Sequence, residues 1–409
     1  MRGDGRAADD PSRVRVLIAA GGSGGHVFPA LALARALTEQ APEAAIHFVG
    51  TSRGIEAQVV PDAGFPLEFL PVLPLVRRPS MTTAAAPVAA AWSALAAALL
   101  VRRLRFDVVC GMGSYVTLPV AIGARWAAVP VVLHEQNVVP GMANRLAARV
   151  ATTVALGFGE AAKALPVPTG RTEVVGVPIR PDLAHLDRAA LRDRALATFG
   201  LEPRRRTLLV FGGSHGAGPV DEAVIAATSS WPEPTAMQVL QVCGRGFDEA
   251  RMRAAWHEVD PAGRGLLVRV VPFLDRMDLA YAAADLVLCR AGASTCAELA
   301  ATGVPAVMVP LGRATAGHQA ANARMAAAAG GAVVVEDGEL GGPGLAAVVS
   351  PLLADPERLA AMGRAMRGLG RPGAAAALAA VVLDVAGRSS PGEPVLDGGP
   401  GRRGTSNGR

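Results

Sequence analysis

Short apolar runs with little polar alternation recur along the chain. Each ends in a glycine-containing break and gives way to an alanine-rich stretch. The runs at 13–20 (RVRVLIAA), 46–50, 106–111 and 129–133 read as strands buried on both faces, with helices at 29–38 and 55–63. Strands alternating with helices in this way predict a parallel sheet covered on both sides. The pattern then restarts. The run 206–212 (RTLLVFG) leads into a second glycine loop and a helix from about 220, with further strands at 237–242, 266–271, 285–289 and 306–309.

Two halves that each open with strand, glycine loop and helix predict an α/β protein of two doubly wound Rossmann-like domains facing across a cleft. Pro178 and Pro181 restrict the backbone between the halves. The expected division is a disordered 1–12, a first domain over 13–180, a second over 181–387 and a disordered tail over 388–409. The tail (RSSPGEPVLDGGPGRRGTSNGR) is rich in glycine, proline and charge and has no apolar face to bury.

Composition refines this picture in three places. Hydrophobic residues make up 51% and aromatics only 4%, so the cores depend on close backbone approach more than on large side chains. Lys163 is the only lysine, and the formal net charge is +5, a mild excess that permits anion binding without pointing to nucleic acid. The four cysteines, Cys110, Cys243, Cys289 and Cys296, show no C-x-x-C pairing and read as reduced thiols in a cytoplasmic protein. No signal peptide is expected. The apolar segment 84–101, flanked by Arg77, Arg78, Arg102 and Arg103, is long enough to span a bilayer, but its alanine content and Pro87 favour a buried or interfacial helix.

The candidate chemistry sits where strands run into loops. Gly21–Gly25 followed by His26 (GGSGGH) opens a helix after the first strand, letting the backbone approach a phosphate or sugar. No Walker lysine follows, and Gly50, Thr51 and Ser52 stand where a dinucleotide site would want an acidic residue. His26 is a candidate general base, with a plain helix-capping role as the alternative. The loop from Gly212 (GGSHGA) repeats the device, with Ser214 able to donate a hydrogen bond to a phosphate. The stretch from Arg290 (RAGASTCAE) begins another helix, where Glu298 fits either a capping box with Thr295 or acceptance of two ribose hydroxyls. His134, Glu135, Gln136 and Asn137 cluster at the end of a buried strand without zinc-ligand spacing, and no Asp-x-Asp pair follows an apolar strand, so no metal is expected.

These segments together resemble the MurG family, through GGSGGHVFPALALARAL from Gly21, GMGSYV from Gly111, HEQNVVPGMANR from His134, VVGVPIR from Val174, LLVFGGSHGA from Leu208, YAAADLVLCRAGASTCAELAATGVPAVMVP from Tyr281 and HQAANA from His318. The likeness covers 14 to about 337. It implies the GT-B fold and an inverting transfer of N-acetylglucosamine from its UDP donor to a polyprenyl-pyrophosphoryl acceptor, lipid I, making lipid II at the cytoplasmic face of an anionic membrane surface. It implies a first domain facing acceptor and membrane, a second holding the donor, and no cofactor beyond the sugar nucleotide. Carried over by position, Ser23, Gly24 and Gly25 meet the transferred sugar or the acceptor's pyrophosphate. Asn137, Arg180, Ser214, Leu274, Gln319 and the run Ala293, Ser294, Thr295, Cys296, Ala297 and Glu298 hold the donor. His26 and Glu298 are the catalytic candidates, and Tyr115, His134, Glu135 and Gln136 the acceptor-side ones. The chain departs from the family pattern at Leu118, Val177, His215, Gly218 and 313–317. A family member acting on another polyprenyl or natural-product acceptor, and a non-catalytic sugar-nucleotide-binding paralogue, are the alternative readings.

Overall fold

The computed structural model describes residues 13–72, 86–166, 171–213, 216, 218–244, 249–259, 265–312 and 317–387. The expected disordered ends, Arg77, Arg78, Ser214, His215 and 313–316 lie outside the described residues. Two parallel sheets form the frame. The first is built from β1 (Arg15–Ala19), β2 (Ala45–Gly50), β3 (Leu67–Phe69), β4 (Val108–Gly111), β5 (Val131–Glu135), β6 (Thr153–Leu156) and β7 (Arg171–Val174), in the order 3-2-1-4-5-6-7. The second is built from β8 (Arg206–Phe211), β9 (Met237–Val242), β10 (Leu267–Val271), β11 (Leu286–Cys289), β12 (Ala306–Met308) and β13 (Ala332–Val334), in the order 10-9-8-11-12-13. In each sheet the order reverses beside the strand that carries a glycine loop. β1 pairs with both β2 and β4, and β8 with both β9 and β11. Crevices open at such reversals, outside the carboxyl ends of the strands.

β4, β5, β6 and β11 are buried along their whole length, as unalternated apolar runs require. Helix Gly24–Gln40 and the final helix Ala374–Gly387 cover one face of the first sheet, and helices Ala86–Arg103 and Thr117–Trp126 pack on the other. Two differences from the sequence expectation stand out. The first helix starts at Gly24 rather than at 29, because glycines fill its opening turn and Pro29 sits inside it. The final helix, expected within 181–387 as part of the second half, crosses back to the first sheet. Leu378, Val382 and Val385 share a core with Val16, Ile18 and Phe48. Gly176 admits this return: its φ is +93°, and an added Cβ would lie 2.7 Å from Arg371 Cβ and 2.9 Å from Ala374 Cβ.

The apolar segment near 84–101 forms a helix with one face buried, in line with the expectation of a buried or interfacial helix. Ala94, Ala97, Ala98 and Val101 are buried against the neighbouring helix, whereas Trp92 (64% exposed), Leu95 and Leu99 (60% exposed) form an outward stripe at helical spacing. Among the described residues, no helix is long and apolar enough to cross a membrane.

Close approach in this alanine-rich core is most visible at Gly123. A Cβ there would lie 2.5 Å from the Ala94 carbonyl oxygen and 2.7 Å from the Ala98 nitrogen, both backbone atoms that cannot rotate away. Replacing Gly123 by Val is therefore expected to destabilise the protein by about 1–3 kcal/mol, measured by urea unfolding. An unchanged midpoint would show that the two helices separate freely.

Candidate functional site

The first glycine loop is braced from behind by a residue that the sequence did not single out. Glu56 is fully buried, and its carboxylate accepts from Gly22 N at 2.9 Å, Thr51 N at 3.0 Å and Thr51 Oγ1 at 2.8 Å. An added Cβ at Gly21 or Gly50 would lie within 2.7 Å of this side chain, which explains why small residues surround it. The Tyr115 hydroxyl joins the same chain, 3.2 Å from Thr51 Oγ1, and its ring lies 3.2 Å from where a Gly22 Cβ would stand. Glycines flanking the end of β2 hinted at a tight contact there. Nothing in them named its partner, 34 residues from Gly22.

His26 stands in the first turn of helix Gly24–Gln40. Its Nδ1 lies 3.0 Å from the Met112 carbonyl oxygen and 2.9 Å from Gln136 Oε1. Gln136 is oriented by its own Nε2, which donates to the same Met112 carbonyl at 3.1 Å. Both neighbours of Nδ1 are therefore acceptors, which assigns the proton to Nδ1 and leaves the lone pair on Nε2. Burial pushes the His26 pKa below 6.5 against the opposing influence of the Glu135 carboxylate. A neutral imidazole with a free Nε2 lone pair is what a general base requires.

The acceptor-side expectation for His134, Glu135 and Gln136 is corrected by their burial. All three are at most 2% exposed and act on the protein itself. His134 Nε2 donates to the Gly176 carbonyl at 2.9 Å. Glu135 gathers Asn137 N (2.8 Å), Asn137 Nδ2 (3.2 Å), Gly141 N (3.2 Å) and Asn144 Nδ2 (2.8 Å), and so shapes the loop after β5. Gln136 holds His26. Polar residues at the end of a buried strand are costly unless satisfied; here other protein groups satisfy most of them.

Asn137 is brought to the junction of the two halves. Its Oδ1 accepts from Asn322 Nδ2 at 3.2 Å, and Asn322 also accepts from Val138 N at 3.1 Å and donates to the Ala291 carbonyl at 3.1 Å. Beside it, His318 Nδ1 donates to the Val139 carbonyl at 2.6 Å. Across the cleft, Ser294 Oγ donates to the Gly25 carbonyl at 3.2 Å. That carbonyl lies four residues before Pro29, which has no N–H to bond it.

The helices that begin at Gly24 and at Ala293 thus meet by their N-termini, and neither carries a side-chain cap: Ser23 and Gly292 make no capping bond. Two positive helix ends brought together, with first-turn N–H groups that no side-chain cap claims, can make a place for an anion.

The second-half residues sort differently. Glu298 is not part of a capping box, since the N-cap is Gly292 rather than Thr295. Its Oε2 instead accepts the Tyr281 hydroxyl at 2.8 Å. Burial raises the Glu298 pKa, while the Tyr281 bond and Arg180 oppose the rise. Arg180 is held by the Asp275 carbonyl at 2.8 Å, beside Leu274, and Gln319 Oε1 accepts from Leu311 N at 2.9 Å. Cys296 is corrected as a ligand-facing side chain. It packs in the core of the second sheet, and burial pushes its thiol up to about 12, so only its backbone can line a nucleotide. Ala293 packs nearly as closely, while Thr295 and Ala297 keep partial exposure. Ser214 lies outside the described residues, although its neighbour Gly213 takes the positive φ of +92° expected of a phosphate-approaching turn. Among the described residues, no group of three or more metal-ligating side chains could hold an ion.

Comparison with known proteins agrees with this geometry. Residues 16–156 match the glycosyltransferase family 28 N-terminal domain and residues 207–378 its C-terminal domain. A Nocardioides relative, named UDP-N-acetylglucosamine--N-acetylmuramyl-(pentapeptide) pyrophosphoryl-undecaprenol N-acetylglucosamine transferase, is 45% identical over 91% of this chain and 98% of its own. A Streptomyces coelicolor relative of the same name is 41% identical over 88% and 94%. Among solved structures, Acinetobacter baumannii MurG superposes with a TM-score of 0.73 at 28% identity, covering 91% of this chain and 99% of its own. A kitacinnamycin glycosyltransferase shares the fold at a TM-score of 0.66 and 18% identity, covering 92% and 100%.

His134 yields a prediction about stability. Among the described residues its Nδ1 is buried without a partner, and burial pushes the pKa down to about 4. Between pH 6.5 and 4 the unfolded chain takes up a proton that the folded chain refuses, so stability falls as pH falls through that window. From pH 7 to pH 5 this residue should contribute a loss of about 2 kcal/mol. Urea unfolding of His134→Gln should show a shallower pH slope than the parent; an equal slope would mean that His134 is charged within the fold.

Proposed function

The chain belongs to the MurG family within glycosyltransferase family 28, and from that membership and the cleft we propose that it transfers N-acetylglucosamine from UDP-N-acetylglucosamine to the polyprenyl-pyrophosphoryl acceptor lipid I, with inversion. The observation that carries the reading is the meeting of two uncapped helix N-termini at Ser294 and Gly25, with His26 one residue further on. Family relatives at 40–45% identity bear the name of this transferase, which supports the donor and acceptor assigned here.

In the proposed reaction, the acceptor hydroxyl attacks the anomeric carbon while the bond to the UDP oxygen breaks. His26 Nε2 takes the hydroxyl proton, and its Nδ1–H stays pinned to Met112 and Gln136. The imidazolium that forms is stabilised by the nearby Glu135 carboxylate, which favours the charged form. Negative charge growing on the diphosphate is met by the unclaimed N–H groups of helix Ala293–Thr302 and by the turn at Gly213. Arg180 and Glu298 frame the nucleoside, Glu298 as the ribose acceptor. We propose that no metal takes part and that an acidic membrane surface is met by the outward stripe of Trp92, Leu95 and Leu99 with Arg102 and Arg103 at its end.

UDP release from the donor, with and without a soluble lipid I analogue and in EDTA, tests donor, acceptor and metal together. Acceptor-dependent release is expected, and release that ignores the acceptor would refute the assignment. His26→Ala should lower kcat by about 10²–10⁴-fold. Because burial depresses the His26 pKa, the parent's acid limb should fall below pH 6.5. Near-normal turnover of the variant would remove His26 from its role. Sedimentation with phosphatidylglycerol vesicles should weaken on Trp92→Glu with Leu99→Glu; equal sedimentation would place the membrane contact elsewhere.

A further inference from the structure

The tyrosine beneath the donor-binding helix has no part in the reaction as proposed so far, yet it touches two elements that frame the donor. Tyr281 is fully buried in helix Met277–Ala283. Its hydroxyl meets Glu298 Oε2 at 2.8 Å. Its ring packs edge-on against Phe211, with centroids 6.1 Å apart and planes at 79°. Phe211 is the last residue of β8, immediately before the glycine loop at Gly212. The end of the tyrosine's helix is fixed in turn: Arg188 Nε donates to the Tyr281 carbonyl at 3.0 Å, and Arg192 donates to the Ala283 carbonyl at 3.2 Å.

We propose that Tyr281 is a positioning residue for donor selection: its hydroxyl holds the Glu298 carboxylate in the one orientation that accepts ribose hydroxyls, and so sets the preference for a ribonucleotide over a deoxyribonucleotide donor. This rests on Glu298 being the ribose ligand. A glutamate in the second turn of a helix has several rotamers open to it, and one strong hydrogen bond from a rigid phenol selects among them. The phenol spends its single proton on Oε2. Among the described residues no protein donor meets Oε1, which is left for a ligand. A phenylalanine would fill the same core volume, so packing alone does not call for the hydroxyl.

The same bond has an electrostatic consequence. The groups facing Glu298 are Tyr281 from its own helix, Arg180 and Asp182 from the junction between the halves, and Cys289 from β11. Burial and Asp182 disfavour the carboxylate, whereas Arg180 and the Tyr281 hydroxyl favour it. Burial keeps the phenol protonated, so it acts as donor throughout. Removing the hydroxyl therefore moves Glu298 further toward its neutral form.

The experiment compares kcat/KM for UDP-N-acetylglucosamine and its 2′-deoxyuridine counterpart in the parent, Tyr281→Phe and Glu298→Gln. Tyr281→Phe should raise KM for the ribonucleotide donor about tenfold, the loss expected for one hydrogen bond to a charged group, with kcat within about twofold. Its ribose preference should shrink toward that of Glu298→Gln, and the acid limb of its donor kcat/KM should move to higher pH. If Glu298→Gln keeps the full preference, the ribose reading itself fails. If Glu298→Gln loses the preference and Tyr281→Phe keeps it with an unmoved acid limb, the positioning role fails. Should Tyr281→Phe not fold, 3-fluorotyrosine at 281 keeps the bond with a stronger donor. The acid limb should then move to lower pH with the preference retained, and an unmoved limb would overturn the proposal.

Discussion

The loops and helix starts proposed to carry the chemistry follow the carboxyl ends of parallel strands, because each strand–helix–strand crossover hands the chain to its helix on that edge. The constraint is geometric before it is chemical. β1, β4 and β5 deliver the first glycine loop, the Met112 carbonyl and Gln136 to one spot, and β8 and β11 deliver the second loop and the helix that carries Glu298. When two such edges face each other, helix N-termini converge. The Ser294–Gly25 contact is the visible result. The anion-binding character proposed for the cleft therefore rests on the architecture, and side chains refine it.

Much of this was legible from residue order. Strands buried on both faces show as unalternated apolar runs, and β1, β2, β4, β5, β8 and β11 lie close to where those runs place them. The short β3, β6, β7 and β13 did not announce themselves. β7 carries arginine, threonine and glutamate at an edge, where one side meets solvent and the apolar signal disappears. The glycine loops and His26 were readable because each directly follows a buried strand. Glu56 was not, because its importance lies in three donors contributed by two separate segments. The sequence pattern points His134, Glu135 and Gln136 toward an outside ligand, and their burial turns them inward. Residue type at the end of a strand reports a demand for hydrogen bonds; it does not report who meets it.

The buried polar groups form two supports, one behind each side of the cleft. Behind the first loop, Glu56 and Thr51 lead to Tyr115. Behind the second-half donor helix, Tyr281 meets Glu298. In both cases a carboxylate is kept as an acceptor by donors from an adjoining segment, in surroundings where an unpaired charge would be expensive. His26 follows the same logic with the sign reversed, since two acceptors keep its proton on Nδ1 and burial keeps the ring neutral.

Pro29 gives the cleft a property that none of its polar residues supplies. In an uninterrupted helix the Gly25 carbonyl would be claimed by the N–H four positions on, and any outside donor would have to compete for it. With proline at that place there is no claimant, so the carbonyl stays exposed to the opposite domain as a permanent acceptor. When Ser294 engages it, the first helix gives up nothing; when Ser294 lets go, the helix gains nothing to hold it open. Contact between the two domains at this point therefore costs the first helix no hydrogen bond of its own, and the turn that bears His26 does not depend on it.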